Sequence, residues 1–418
     1  MWYLYNASIR CILFALVCVF VVACGGSGDS SPAAPSFQRG EYVSAGRSQS
    51  VSASVIDSVL DGVAGSLAVS AVYDVRFLKL TYKTIDTNGR LTNASGVVAI
   101  PQKANNLSSP MLSLQHGTIY LDSDAPSNED LSPLLSNPAQ ALYKTTGQAI
   151  IAASLGYLVV APDYLGYGDS ILAVHPYMHA DSLATSVIDL ILAAQQYFAD
   201  NDIMYNRQVF LAGYSEGGYA TLAAHKKLQE LYSDVMTVTA SAPGAGAYDV
   251  SQTALTFANS QQLDAPDYVA FVMKAYDTVY NLNRLGDFFQ PAYVDFIDSA
   301  FYGDTTRTTI VTNLSATPDE LFSSPFLQDF TGNGESELKA YFRQNDIYDW
   351  SPTSPIYFYH GRQDTIVPFF NVTSVMTAMQ NSPVSITECA SVPSDHGYCF
   401  LPYLQFVIDT FGALTNDL

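Results

Sequence analysis

The chain contains 418 residues, of which 48% are hydrophobic and 14% are charged. This length and composition allow one large domain or two ordinary ones, with a substantial buried core. The 39 acidic residues outnumber the 18 basic ones and give a net charge of −21, which excludes nucleic acid as an expected partner because phosphate neutralisation needs clustered Lys and Arg.

The N-terminus predicts an export signal. An apolar run, CILFALVCVFVVAC, ends at Cys24 and is shorter than the roughly 20 residues that a membrane-spanning helix needs. With the Gly/Ser/Pro stretch after it, the run resembles a bacterial lipoprotein signal. The resemblance implies a signal peptide over residues 1–23, a lipidated Cys24 that anchors the chain to a membrane, and a flexible tether over residues 24–45. Gly25 favours the outer membrane in that family, and ordinary secretion with cleavage near Ala23 is the alternative.

From about residue 70, apolar runs of strand length predict a mostly parallel, doubly wound α/β sheet. Runs 71–85 and 92–101 flank an Asn-Gly turn at Asn88, a strong hairpin signal. The segment 179–198 repeats apolar residues at helical spacing. Five apolar runs and a shorter sixth then alternate with helical segments, as parallel strands buried on both faces require. They are residues 111–117, 157–164, 208–215, 235–243, 355–361 and 384–390.

The stretch GYSEG places Ser215 in a G-x-S-x-G pattern between a predicted strand and a helix-like run. Such a tight turn leaves no room for a Cβ atom two positions before or after the serine, which explains Gly213 and Gly217. The pattern predicts Ser215 as a nucleophile and the backbone N–H of Glu216 as an oxyanion donor. The Glu216 carboxylate either accepts hydrogen bonds at the mouth of a pocket or acts as an anion at the helix N-terminus.

Residues 247–350 interrupt the alternation of strands and helices. A segment of that length cannot be structureless inside a compact domain, so we predict a largely helical cap insertion between two parts of the core, residues 46–246 and 351–418. The insertion is rich in aromatic residues, which either line an acyl pocket or form a small core of their own. They are Phe257, Tyr268, Phe271, Tyr276, Tyr280, Phe288, Phe289, Tyr293 and Phe296.

A serine nucleophile needs a base, and His396 on a late loop is the best placed of the six histidines. Asp364, just beyond a predicted strand in HGRQDTIVP, is predicted to orient the imidazole. Asp395 is the alternative, although a neighbour of the histidine rarely reaches its Nδ1. Cys389 and Cys399 flank His396, and two cysteines in the folded part of an exported chain predict one disulfide.

The chain order Ser215, Asp364, His396 and the motifs QHGT, APDYLGYGDS, GYSEGG, HGRQDTIVP and DHG resemble the α/β-hydrolase superfamily. Within it they look like bacterial exported esterases and secretory lipases. The resemblance covers roughly residues 70–415 and implies an α/β-hydrolase fold and an acyl-enzyme mechanism. Hydrolases with a His-Gly-X loop donate the backbone N–H of X to the oxyanion, which implies Thr118 as the second donor.

We therefore predict a serine carboxylic-ester hydrolase, an esterase or lipase, that acts on small-molecule or lipid esters without a metal or organic cofactor. His175 and His179 are four residues apart but lack a third ligand at helical spacing. Acyl transfer, prolyl-peptidase-like hydrolysis and a non-catalytic surface-binding module are the alternatives. Prolyl peptidases usually carry a large domain that has no room before residue 70, and a complete triad argues against the module. The sequence does not indicate the oligomeric state.

Overall fold

A computed structural model describes residues 38–62, 67–104, 107–129, 137–170 and 174–418. The predicted signal peptide, the lipidated Cys24 and most of the predicted tether lie outside these residues. Residues 42–45, which the sequence analysis placed in the tether, form a strand that pairs antiparallel with residues 80–82. This strand escaped prediction because its four residues, YVSA, carry no apolar run.

The described residues form one ten-stranded sheet in the order β1-β3-β4-β6-β5-β7-β8-β9-β10, with β2 also paired to β3. Strands β5 to β10 run parallel to one another, whereas β1 to β4 pair antiparallel and β4 also pairs antiparallel with β6. The strands are β1 Tyr42–Ala45, β2 Gln49–Val51, β3 Val75–Ile85, β4 Leu91–Pro101, β5 Ser109–Gln115, β6 Leu158–Pro162, β7 Tyr205–Tyr214, β8 Ala240–Gly244, β9 Ile356–His360 and β10 Val384–Glu388.

Helices cover both faces of this sheet. In β7, Val209 and Leu211 join one buried cluster, whereas Phe210 and Ala212 join a second cluster on the opposite face. Successive side chains of a strand point to opposite faces, so a strand covered on both sides is apolar throughout. The core helices are α1 Ala53–Asp61, α2 Pro138–Ala141, α3 Thr145–Ser154, α4 Ala180–Asp200, α5 Glu216–Leu231, α14 Phe370–Ala378 and α15 Phe400–Gly412.

The segment 247–350 contains eight helices between β8 and β9. Tyr276, Phe288 and Phe289 are fully buried among other residues of this insertion, so part of its aromatic content is core. No helix within the described ranges is both long and apolar enough to cross a bilayer. The insertion helices are α6 Val250–Ala258, α7 Pro266–Val279, α8 Leu285–Phe288, α9 Pro291–Ala300, α10 Arg307–Thr312, α11 Pro318–Leu321, α12 Ser324–Thr331 and α13 Ser336–Gln344.

Candidate active site

Ser215 occupies the turn between the end of β7 and the start of α5. Its backbone has φ 61° and ψ −123°, a strained conformation for a residue other than glycine. The Ser215 N–H donates to the carbonyl oxygen of Gly244 at the end of β8, at 2.9 Å. The serine is therefore held by main-chain contacts at the carboxyl ends of two parallel strands.

Gly213 and Gly217 allow this turn to pack against itself and against β5. A Cβ atom added to Gly213 would lie 2.4 Å from the carbonyl oxygen of Gly217, and one added to Gly217 would lie 2.2 Å from the carbonyl oxygen of Gln115. Backbone atoms on both sides leave no room for a methyl group. These distances give the physical reason for the two glycines that flank the serine.

The structure brings Ser215, His396 and Asp364 into one hydrogen-bonded series. His396 Nε2 lies 2.9 Å from Ser215 Oγ, and His396 Nδ1 lies 2.6 Å from Asp364 Oδ2. The other carboxylate oxygen of Asp364 accepts hydrogen bonds from the backbone N–H groups of Ile366 and Val367, at 3.0 and 2.8 Å. These bonds fix the carboxylate after β9, where it can hold an imidazole whose Nε2 faces the serine.

Asp364 is ionised in this setting. Burial raises the pKa of its carboxyl, but hydrogen bonds from His360 and His396 outweigh that effect and lower the pKa to about 2. A carboxylate at this position favours a proton on Nδ1 of His396 and leaves Nε2 available to accept one from a hydroxyl.

The loop that carries His396 is linked to the rest of the molecule at several points. Cys389 and Cys399 form the predicted disulfide, and the Tyr214 hydroxyl donates to the carbonyl oxygen of His396 at 2.8 Å. Asp395, the alternative orienting residue, accepts instead from the backbone N–H of Tyr398 at 2.8 Å. Asp395 therefore shapes the loop, and Asp364 contacts the imidazole.

The loop after β5 lies against the serine turn. A Cβ atom on Gly117 would be 3.9 Å from Ser215 Cβ, and the Thr118 hydroxyl donates to the Tyr177 hydroxyl at 3.1 Å. The Glu216 N–H belongs to the first residue of α5 and has no acceptor within that helix. Both predicted oxyanion donors thus lie in segments adjacent to Ser215, and their role remains a prediction.

The Glu216 side chain is buried and faces His175. Its Oε1 lies 2.6 Å from His175 Nε2, and the two side chains are 1% and 2% exposed. The sequence analysis left the role of this carboxylate open and considered His175 only as a metal ligand beside His179. No local pattern could reveal the contact, because the partners are 41 residues apart.

Two spaces of different character meet at Ser215, and Ser215 and Tyr268 line both of them. One, which we call the apolar cavity, extends beneath the insertion. Of the aromatic residues that the sequence analysis named, Phe257 and Tyr268 line this cavity. Phe322, Phe326, Phe330 and Phe342 were not named there, and they are scattered over three short helical segments. Its lining includes Phe257, Val272, Phe322, Phe326, Phe330 and Phe342.

The other space, which we call the polar cleft, also reaches Ser215 and lies beside the loop after β5. Charged and hydroxyl groups contribute much of its surface, among them Thr118, Lys144 and Arg307, together with His396. Lys144 pairs with Asp124 at 2.5 Å, and Arg307 pairs with Asp267 at 2.7 Å. The cations of the cleft are thus already neutralised by acidic neighbours.

His116 and His225 contact main-chain or hydroxyl oxygens rather than Ser215. His116 lies between the carbonyl oxygens of Gly117 and Asp163, at 2.7 and 3.1 Å. His225 contacts the Ser241 hydroxyl at 2.8 Å, and burial lowers its pKa to about 3. Within the described ranges, no group of three or more His, Cys, Asp or Glu side chains is arranged to hold a metal ion.

The chain is similar in sequence to a known protein family over the region that contains the site. The family model described as secretory lipase matches residues 138–396, more than half of the chain, including Ser215, Asp364 and His396. No curated protein matches the chain by sequence.

Several solved structures have the same architecture. A Legionella pneumophila protein assigned as a hydrolase is 26% identical, with a TM-score of 0.79 over 90% of this chain and 98% of its own. The rice cell wall degrading esterase LipA from Xanthomonas oryzae is 24% identical, with a TM-score of 0.76 over 90% and 100%. Candida antarctica lipase A in its closed state is 16% identical, with a TM-score of 0.65 over 91% and 84%. The predicted α/β-hydrolase fold is thereby confirmed.

Proposed function

Because the chain belongs to the secretory lipase family and is therefore an exported carboxylic-ester hydrolase, we propose that it cleaves esters through an acyl-enzyme formed on Ser215. His396 accepts the proton of the Ser215 hydroxyl as the oxygen attacks the ester carbonyl carbon. It then returns that proton to the leaving alcohol, while Asp364 stabilises the imidazolium that forms in between. Water repeats the sequence on the acyl-enzyme and releases the acid.

One observation carries this proposal: His396 contacts both partners through its two ring nitrogens. Its Nε2 lies 2.9 Å from Ser215 Oγ, and its Nδ1 lies 2.6 Å from Asp364 Oδ2. Both distances lie within the reach required for proton transfer. Thr118 and Glu216 supply the backbone N–H groups for the oxyanion, the second of them at the positive end of α5.

We assign the two halves of the ester, the acyl chain and the alcohol, to the two spaces at Ser215. The apolar cavity accepts the acyl chain, since its lining is almost entirely hydrocarbon, and burial of each methylene contributes about 0.8 kcal/mol. The polar cleft accepts the alcohol, whose oxygen must lie near His396 to receive its proton. We therefore expect esters of long acyl chains with polar alcohols to be better substrates than acetates.

The test measures turnover of p-nitrophenyl esters of increasing acyl length by the chain from residue 38 onward, beside Ser215→Ala. We expect kcat/KM to rise with chain length and Ser215→Ala to lose roughly 10⁴-fold or more in kcat. Ester turnover that persists unchanged in Ser215→Ala would rule the proposal out.

A second pair of variants tests the assignment of the apolar cavity. Ala254→Trp places a large side chain in the cavity, and we expect it to reduce turnover of long-chain esters by roughly tenfold or more relative to acetate. Gln252→Trp is the matched control, because Gln252 is exposed on the same helix. Equal loss on long and short esters would show that the acyl chain binds elsewhere.

We also propose that Cys24 carries lipid after removal of residues 1–23, with the outer membrane as the site of the enzyme. The sequence around Cys24 supports this, although these residues lie outside the described ranges. Mass spectrometry of the mature N-terminal peptide should show an acylated cysteine, and Cys24→Ser should move the enzyme to the detergent-free fraction. An unmodified mature N-terminus would favour ordinary secretion.

A further inference from the structure

Glu216 and His175 form a buried pair beside the nucleophile that the proposed mechanism does not use. Their side chains are 1% and 2% exposed, and the contact between them is 2.6 Å. Glu216 directly follows Ser215 and also lines the apolar cavity. A carboxyl group with no access to bulk water therefore lies next to the point where the ester carbonyl must bind.

The hydrogen-bond partners of His175 determine how many protons the pair holds. His175 Nδ1 lies 2.7 Å from the carbonyl oxygen of Leu165, and a carbonyl can only accept, so Nδ1 carries a hydrogen. A second hydrogen must lie between Nε2 and Glu216 Oε1, whether it is bonded to the imidazole or to the carboxyl. In both arrangements the pair is neutral as a whole.

Glu216 is the first residue of α5, so the helix dipole also favours its carboxylate. Titratable groups near the pair are His116, Tyr164, Tyr167, Tyr177 and Tyr268, and none of them supplies a fixed positive charge. Burial raises the pKa of Tyr164, Tyr167 and Tyr177 well above the ordinary value, and the negative charge of Glu216 raises each further. Because water is excluded from this site, the effective dielectric constant is low, and a charge there interacts strongly with neighbouring groups.

We propose that His175 is a positioning residue that neutralises and anchors the Glu216 carboxylate, so that the oxyanion formed at Ser215 meets no opposing charge. The inference rests on the proposed role of Ser215 as nucleophile. Without His175, the carboxylate lies unpaired beside the developing negative charge and opposes its formation, which lowers kcat more than it raises KM.

The test is a double-mutant cycle with kcat and KM measured on one p-nitrophenyl ester. His175→Phe removes both ring nitrogens and keeps an aromatic ring between Tyr167 and Phe271, which lie 5.0 and 5.9 Å from the His175 ring. We expect it to lower kcat by roughly 10- to 100-fold. Glu216→Gln should cost less than about tenfold, because its amide can donate to Nε2 of a neutral His175.

The decisive variant combines both substitutions. His175→Phe/Glu216→Gln lacks the unpaired charge, so its kcat should exceed that of His175→Phe and return to within about tenfold of wild type. A double variant no more active than His175→Phe would overturn the proposal, because a role in packing alone gives no rescue by loss of charge. If His175→Phe does not fold, His175→Leu provides the same comparison with a smaller apolar side chain that cannot donate to the carboxylate.

His225→Phe, with and without Glu216→Gln, is the matched control. His225 is also buried, at 1% exposed, but contacts Ser241 rather than an acid, so Glu216→Gln should not rescue it. Wild type and Ser215→Ala are measured in the same assay. A wild type without Ser215-dependent turnover would reject the proposed function, whereas an active wild type without rescue would reject only the role of His175.

Discussion

The proposed nucleophile, Ser215, and the proposed base, His396, are held by different parts of the chain and by different kinds of contact. Ser215 lies between β7 and α5, where main-chain atoms of Gly213, Gly217 and Gln115 pack too closely to admit a methyl group. His396 lies on an irregular loop that is fixed by side chains: the Cys389–Cys399 disulfide, Asp364 and Tyr214. We therefore expect substitutions in the serine turn to destabilise the fold. In the His396 loop, by contrast, each contact can be removed separately.

The largest effect is expected at the serine turn. Gly217→Ala places a Cβ atom 2.2 Å from the Gln115 carbonyl oxygen, and we expect a loss of about 3 kcal/mol or more in the free energy of unfolding. Gly286→Ala is the matched control, because nothing lies within 4 Å of a Cβ atom there. Urea denaturation measures both, and equal stabilities for the two variants would contradict the tight packing of the turn.

The disulfide should have the next largest effect. Replacement of Cys389 and Cys399 by serine removes a link across 10 residues of sequence, and we expect a loss of about 3 kcal/mol in the free energy of unfolding. Because the loop carries His396, kcat should also fall by roughly 10- to 100-fold, with less change in KM. Unchanged kcat in a folded double serine variant would show that the disulfide does not position the base.

Acid should weaken the same region through Asp364. The pKa of its carboxyl is lowered from 3.8 to about 2 in the folded chain. A lowered pKa means that the ionised form stabilises the fold above about pH 4, and that this contribution is lost as the pH falls through 2. Its size is about 2 kcal/mol.

Asp364→Asn provides the reference for that measurement, since it cannot titrate. The difference in unfolding free energy between wild type and Asp364→Asn should shrink by about 2 kcal/mol between pH 5 and pH 2. A difference that stays constant over this range would mean that the carboxyl titrates normally.

The smallest effect is expected from Tyr214→Phe, which removes the hydrogen bond to the His396 carbonyl oxygen at 2.8 Å. The ring stays in place, so we expect a loss of about 1 kcal/mol in the free energy of unfolding. Thermal denaturation beside the double serine variant tests the ranking. A larger loss from Tyr214→Phe than from removal of the disulfide would contradict our expectation that the disulfide stabilises the loop more than this hydrogen bond does.

Much of the fold was predictable because its signals are local. Strands β5 to β9 each overlap an apolar run in the sequence, and the residues that α4 buries, such as Leu183, Val187 and Ile191, recur at helical spacing. Ser215, Asp364 and His396 each follow or lie near a recognisable element, and the motifs around them together with their chain order suggested how they belong together.

The parts that escaped prediction depend on contacts between distant residues. β1 and β2 are short and partly polar, and they form strands because their backbones pair with β3. The contact of Glu216 with His175 likewise arises from tertiary packing, as does the position of Phe322, Phe326, Phe330 and Phe342 in the apolar cavity. No spacing in the sequence distinguishes an aromatic residue that lines a cavity from one, such as Phe288, that fills a core.

The position of Ser215 between two separate spaces has a consequence for the order of events in turnover. Under the proposed assignment, the alcohol product leaves through the polar cleft while the acyl chain still occupies the apolar cavity. The next molecule to reach the acyl-enzyme, whether water or another alcohol, then enters through that cleft. The proposed mechanism therefore predicts that an added alcohol competes with water for the acyl group, in proportion to the concentrations of the two in the cleft.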